Sequence, residues 1–227
     1  MDVNDKQSIK EIVRHIEEAD GKLDVLVNNA GVSGPGFHGK WPVEPGSVPD
    51  NQTLAAYGEQ LFNQTSDEWD TVARTDVMSV FFVTMAFLGL LGKSTEGREG
   101  RTASVINITS IFAHTKLNWG YYAYDSFKAA SSHLTRLLAT DMSLKRAPIR
   151  VNAIAPGPFM SEFSPSAEWL QSLVETDFFG SGKPHPMKRI GREEEMVSLA
   201  VYLASDVSEY VTGQEITIDG GISLVNP

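Results

Sequence analysis

Leu23-Asp24-Val25-Leu26-Val27-Asn28-Asn29-Ala30-Gly31 reads as a short apolar strand that runs into a polar turn. The residues before it, 5–19, carry Ile9, Ile12, Val13 and Ile16 on one stripe, the spacing of an amphipathic helix capped by Asn4 or Asp5 and ended by Asp20-Gly21. After it, residues 33–53 are rich in Gly and Pro and read as a long surface loop, followed by a short helix at 54–62. Ser66-Asp67-Glu68 then starts a long helix to about Leu91. The same alternation continues. Ala103–Ile108 is a buried strand ending at Thr109-Ser110, and a helix follows that runs to about Leu144. Ile149–Ala155 is a strand closed by Pro156-Gly157-Pro158, Glu193–Ala204 a helix, and Glu215–Ile218 a last strand before Asp219-Gly220-Gly221. Residues 159–185 are aromatic and loop-rich, with Phe159, Phe163, Trp169, Phe178 and Phe179. Strands alternating with helices predict an α/β fold, a doubly wound parallel sheet with helices on both faces. Ligands bind such sheets outside the carboxyl ends of the strands. Asn28–Gly31, Ser110 and Pro156-Gly157 all fall there.

Composition narrows the classes of function. The 227 residues carry a net charge of −10, which disfavours nucleic acid or an anionic membrane surface as a partner, because phosphate binding needs basic patches. There are no cysteines, so disulfides, thiolate catalysis and cysteine zinc sites are excluded. His15, His38, His114, His133 and His185 show no paired ligand spacing, and no metal is assigned. The start, Met1-Asp2-Val3-Asn4-Asp5, does not open a signal peptide. Val77–Leu91 is short for a membrane span and interrupted by Ser79, Thr84 and Gly89, so a buried helix is expected. A cytoplasmic chain of one domain, 1–227, is the resulting expectation.

The chemistry-bearing motif is Tyr124 with Lys128, fourteen residues beyond Ser110. Positions i and i+4 share a helix face, so phenol and ammonium project into one space. Tyr121 and Tyr122 have Asp125 and Ser126 at that spacing; only Tyr124 has the lysine. A neighbouring ammonium favours phenolate and is expected to draw the tyrosine toward working pH. A serine hydroxyl can then hold a carbonyl oxygen while the phenol delivers a proton. This suits carbonyl/alcohol redox chemistry, provided a hydride carrier binds alongside.

Taken together, the motifs resemble the short-chain dehydrogenase/reductase family in its short single-domain form. Asn28-Asn29-Ala30-Gly31 matches its Asn-Asn-Ala-Gly element, and Ser110, Tyr124 and Lys128 match its catalytic serine, tyrosine and lysine. Val151-Asn152-Ala153-Ile154-Ala155-Pro156-Gly157, with Ser161 four beyond, matches the segment that faces the nicotinamide. Gly191-Arg192 and Thr212-Gly213-Gln214 through Asp219-Gly220-Gly221 match as well. The resemblance implies a Rossmann-like α/β/α fold, NAD or NADP as cofactor, and a small-molecule carbonyl or alcohol as substrate. It implies Tyr124 as proton donor or acceptor, Lys128 as its modulator and ribose ligand, and Ser110 as the group positioning the substrate oxygen. Asn28, Ala30, Gly31, Pro156, Gly157 and Ser161 are the implied cofactor-binding residues. Residues 159–185 occupy the place of the family's variable substrate lobe.

Three departures qualify what is expected. Trp69-Asp70-Thr71-Val72-Ala73-Arg74-Thr75 leads to Asp76 where the family usually has an asparagine. Asp76 either pairs with Lys128 and weakens its pull on Tyr124, or is a solvated or capping carboxylate with little effect. Ser110 also stands one residue farther from the tyrosine than is common, which an insertion between 111 and 120 accommodates. Finally, the sequence contains no Thr-Gly-x-x-x-Gly-x-Gly phosphate cradle, and Asp2-Val3 matches the pair after the family's third strand. The reading is therefore a truncated domain whose first strands are missing and whose Leu23–Val27 strand is an exposed edge. A homo-oligomer, dimer or tetramer, is expected to cover that edge. Function then divides between an NAD(P)-dependent oxidoreductase and a catalytically impaired relative acting as an oligomeric or interaction module.

Overall fold

The aliphatic runs form four parallel strands: β1 (Val25–Asn28), β2 (Ala103–Ile108), β3 (Ile149–Pro156) and β4 (Glu215–Ile218), in the order β1-β2-β3-β4. The structure, a computed structural model, describes residues 1–35, 53–117, 121–162, 164, 166–175 and 183–226. Most of the predicted 33–53 loop, His38, Phe163, Phe178, Phe179 and part of the 111–120 segment lie outside those residues.

Alternate residues of each strand go to opposite faces. On one face Leu26, Val105 and Val151 pack against Ile9 of α1 (Lys6–Ala19), Phe87 and Leu91 of α4 (Ser79–Lys93), and Leu138 and Met142 of α5 (Tyr122–Leu144). On the other, Ile106 and Ile154 pack with Leu203 of α7 (Glu193–Ala204). The helix–sheet–helix layering expected from the alternation is thus formed. β1 pairs with β2 alone among the described residues, and its Val27 is 46% exposed.

The helix starts follow capping chemistry. Asp5, rather than Asn4, caps α1 by accepting from the Gln7 and Ser8 amides; Asn4 instead donates its amide to Thr75 Oγ1 at 3.0 Å. Between them α2 (Leu54–Phe62) is capped by Thr53, and α3 (Ser66–Ala73) by a reciprocal Thr65–Glu68 capping box. The helix predicted from Ser66 to about Leu91 is one run to Lys93, but a π-helical turn at Arg74–Met78 separates α3 from α4. Ser66–Lys93 is long and apolar enough to span a membrane by length and composition, yet half of its most apolar window is buried in this fold. The loop-rich reading of 159–185 also needs correction, because α6 (Ala167–Glu175) lies inside it and buries Leu170 and Val174 against Ile111 and Ile222. Their i,i+4 spacing carries the helix that the aromatic composition obscures. A short α8 (Ile222–Val225) follows β4.

One row of residues across the sheet is polar at three of its four positions. Register places Asn28 beside Asn107, Asn107 beside Ala153, and Ala153 beside Glu215. Asn28 Nδ2 donates to Thr84 Oγ1 at 3.0 Å and Asn107 Oδ1 at 2.8 Å, and Asn107 Nδ2 donates to Thr135 Oγ1 at 2.9 Å. Helices α4 and α5 are thereby hydrogen-bonded to the strands just below the ligand-binding edge. Truncating Asn107 would remove one of the two acceptors of the Asn28 amide and the donor to Thr135 in a fully buried place. Asn107→Ala should therefore cost about 3 kcal/mol in urea unfolding; a loss below about 0.5 kcal/mol would contradict this role for the row.

Candidate active site

Above the row the chain brings three predicted residues together. Ser110 follows β2 in extended backbone and caps a single 3₁₀ turn, Ile111–Ala113, its Oγ accepting from the Phe112 amide at 3.2 Å. Tyr124 and Lys128 project from the first turns of α5, and the Ser110 side chain lies close enough to the Tyr124 phenol to favour its ionised form. Phe112 meets the Tyr124 ring edge-on, with centroids 6.2 Å apart. The Lys128 ammonium is buried. It donates to the Ile108 carbonyl at 3.0 Å and lies 3.4 Å from Asp76 Oδ2 and 5.5 Å from the Tyr124 ring centre.

Asp76 sits in the π-helical turn, a device frequent at functional sites. Its side chain is fully buried, so the solvated-carboxylate alternative is overturned and the pairing with Lys128 holds. Asp76 Oδ1 also accepts from the Val32 amide at 2.9 Å, which fixes the turn after β1 to the lysine. Gly31 completes this corner: a Cβ there would lie 3.4 Å from Lys128 Nζ and 3.5 Å from both Asp76 oxygens.

The electrostatics correct one expectation. Tyr124 is pushed up, not down: burial is the largest cause, the Asp76 and Asp125 carboxylates add to it, and the Ser110 side chain opposes it. Burial pushes Lys128 down while Asp76 holds it up, and burial pushes Asp76 up while Lys128 and the Val32 amide draw it down. The lysine's charge is answered by a carboxylate in the same enclosed space, so its pull on the phenol is offset.

Ser110, Tyr124 and Lys128 open onto a cleft of about 730 Å³, also lined by Ala30, Gly31, Pro156, Gly157 and Ser161. Asn28 is the exception among the predicted binding residues, because its amide is turned into the core onto Thr84 and Asn107. The neighbouring asparagines are chemically alike, and alternation along the strand puts Asn29 on the cleft instead. Tyr121, Met160 and Met196 also line it and had no motif to mark them. Gly157 lets the two strand ends close up, since a Cβ there would sit 2.7 Å from Asp219 Cβ. A cleft with a polar wall of Ser110, Tyr124 and Lys128, closed up at Gly157, fits the nicotinamide half of a dinucleotide.

Comparison with known proteins agrees. Residues 51–223 match the family model described as enoyl-(acyl carrier protein) reductase. The chain is 32% identical to the rhamnolipids biosynthesis 3-oxoacyl-(acyl-carrier-protein) reductase of Pseudomonas aeruginosa over 98% of this chain and 75% of that protein. It is 30% identical to the 3-oxoacyl-(acyl-carrier-protein) reductase FabG of Thermotoga maritima over 99% of this chain and 76% of that one. Among solved structures, the Pseudomonas aeruginosa RhlG/NADP active-site complex superposes with a TM-score of 0.70 at 30% identity, covering 97% of this chain and 74% of that one. A 7α-hydroxysteroid dehydrogenase complexed with NADH and 7-oxo glycochenodeoxycholic acid also gives 0.70, at 27% identity, covering 97% and 71%.

Asp76→Asn removes a carboxylate that disfavours phenolate at Tyr124. Lowering the phenol's pKa makes the base form available at lower pH. In alcohol oxidation, which needs that base, the rise of activity with pH should begin at lower pH in Asp76→Asn than in the unsubstituted chain. Rate profiles against pH check this, and an unmoved or upward-shifted limb would contradict the arrangement.

Proposed function

We propose a function from one premise: this chain belongs to the short-chain dehydrogenase/reductase family of oxidoreductases. Within that family, our reading is an enzyme that interconverts a ketone and a secondary alcohol of a small-molecule substrate with NAD or NADP. The observation that carries it is the placing of the Ser110 hydroxyl, the Tyr124 phenol and the buried Lys128 ammonium together on the wall of one cleft. Two hydroxyls converging on one point can hold and protonate an oxygen. That suits reduction of C=O, where the charge develops on that oxygen. The 3-oxoacyl group named for the two curated relatives is one ketone of this class.

The nicotinamide, when bound, supplies or accepts the hydride at the carbonyl carbon. The protein's own residues do the rest. Ser110 orients the substrate oxygen, and Tyr124 gives its proton to the developing alkoxide in reduction and takes it back in oxidation. Lys128, anchored by the Ile108 carbonyl and Asp76, places a positive charge beneath the phenol that favours its ionised form. Ala30, Gly31, Pro156, Gly157 and Ser161 would hold the cofactor along the cleft. Residues of the 159–185 segment, Met160 among them, would meet the substrate.

One observation favours a second reading. The Asp76 carboxylate, facing Lys128 and raising Tyr124, leaves less phenolate at working pH and makes the phenol a weaker proton donor than an asparagine would, as expected for an impaired enzyme kept as a binding or interaction module. Either way, we propose that the chain self-associates. The single-sided pairing of β1, its exposed Val27, and the half-exposed Met78 and Phe81 on the adjoining helix support that.

Purified protein given NADH or NADPH and a panel of small ketones should oxidise the cofactor, and Tyr124→Phe should lose at least about 100-fold in kcat. Cofactor binding without turnover of any ketone would select the second reading, and a fully active Tyr124→Phe would refute the tyrosine assignment. Light scattering at micromolar concentration should give a mass of two chains or more; a monodisperse monomer would refute self-association.

A further inference from the structure

Glu215 begins β4, yet its side chain is only 3% exposed. Four groups converge on its carboxylate. Thr109 Oγ1 lies 2.5 Å from Oε1; Ser132 Oγ, His114 Nε2 and Arg136 Nη2 lie 2.5, 2.8 and 3.6 Å from Oε2. Thr109 immediately precedes Ser110, and His114 ends the 3₁₀ turn that Ser110 caps. Both ends of the segment bearing the Ser110 hydroxyl are therefore tied to one carboxylate. Ser132 and Arg136 stand four and eight residues beyond Lys128 on the same face of α5, the helix that carries Tyr124.

We propose that Glu215 is a positioning residue: it clamps the Ser110 turn to α5 and so sets the register between the Ser110 hydroxyl and the Tyr124 phenol. The inference rests on the carbonyl chemistry proposed above for its functional meaning, and on the contacts alone for the clamp. A packing role accounts poorly for this residue. Its neighbour in the same row, Ala153, is apolar and fully buried, and an apolar side chain would serve the strand equally well. Burying a carboxylate is costly and weak as a source of stability, whereas a fully partnered one specifies geometry. Nor is the Ser132, His114 and Glu215 set a nucleophile arrangement. Ser132 is buried, and both it and His114 bond the carboxylate. Without Glu215 the turn keeps its own bonds, from the Ala113 amide to Ser110 O at 3.0 Å and from the His114 amide to Ile111 O at 2.9 Å, while Thr109 keeps the Ile154 carbonyl at 3.0 Å. The ties that run through Glu215 to Ser132 and Arg136 of α5 are what is lost.

Hydrogen exchange on the unliganded full chain reads the clamp without turnover. In Glu215→Gln, the amides of 112–115 should exchange on the order of tenfold faster while those of β2 and β3 keep their wild-type rates. In the ketone assay, kcat should fall on the order of tenfold with the KM for the cofactor unchanged. Unchanged exchange at 112–115 would overturn the proposal. So would equal acceleration across β2, β3 and α5, which marks a purely structural residue. If Glu215→Gln does not fold, His114→Ala removes one arm without touching the sheet; it should give part of the same local acceleration, and none would overturn the clamp. A wild-type chain that turns over no ketone defeats the carbonyl reading alone, and the exchange rates still decide the clamp.

Discussion

Burying the Lys128 ammonium is the constraint on which the rest of this site depends. A cation taken out of water is tolerable only where fixed acceptors replace its hydration. The chain supplies two from different elements: the Ile108 carbonyl at the end of β2 and the Asp76 carboxylate in the π-helical turn. Each fixes something beyond the lysine. The carbonyl contact sets the height of α5 above the sheet. The carboxylate also holds the Val32 amide, so the turn after β1 is drawn to the same point.

Beneath that corner the sheet is held by polar groups where apolar ones would be expected. Asn28 and Asn107 fasten α4 and α5 through Thr84 and Thr135, and Glu215 fastens α5 through Ser132. These bonds are directional, whereas the aliphatic contacts below them are not. Apolar packing of Val105, Val151 and Leu138 brings helix and sheet together. The polar row then selects one register, so that Ser110 and Tyr124 meet. Charge enters the same balance: the enclosure that keeps Lys128 in place also raises the phenol and admits a carboxylate opposing the lysine's effect.

Most of the fold was legible because strand and helix periods in this chain are clean. Leu23–Val27, Ala103–Ile108 and Ile149–Ala155 are aliphatic runs between turn residues, and their parallel order follows from the intervening helices. Ser110, Tyr124 and Lys128 were legible through spacing. What stayed hidden depends on three-dimensional neighbours. The aspartate at 76 reads equally as solvated or buried until the π-turn places it at Lys128. The direction of the Tyr124 shift could not be read from Lys128 alone, since burial and two carboxylates raise the phenol. Asn28 and Asn29 are chemically identical, and only strand alternation assigns one to the core and the other to the cleft. Glu215 is a single acidic letter at a strand start; its four partners come from segments 79 to 106 residues away.

Function, on this account, reduces to a proton delivered to oxygen by Tyr124 while hydride goes to the carbon that bears it. Deuterium transfer tests that claim most directly. With cofactor deuterated at the nicotinamide C4 position on either face and a ketone that the protein reduces, mass spectrometry and proton NMR of the alcohol should show one deuterium on the carbinol carbon from one face only. A product carrying that deuterium at any other carbon, or none from either face, would contradict it.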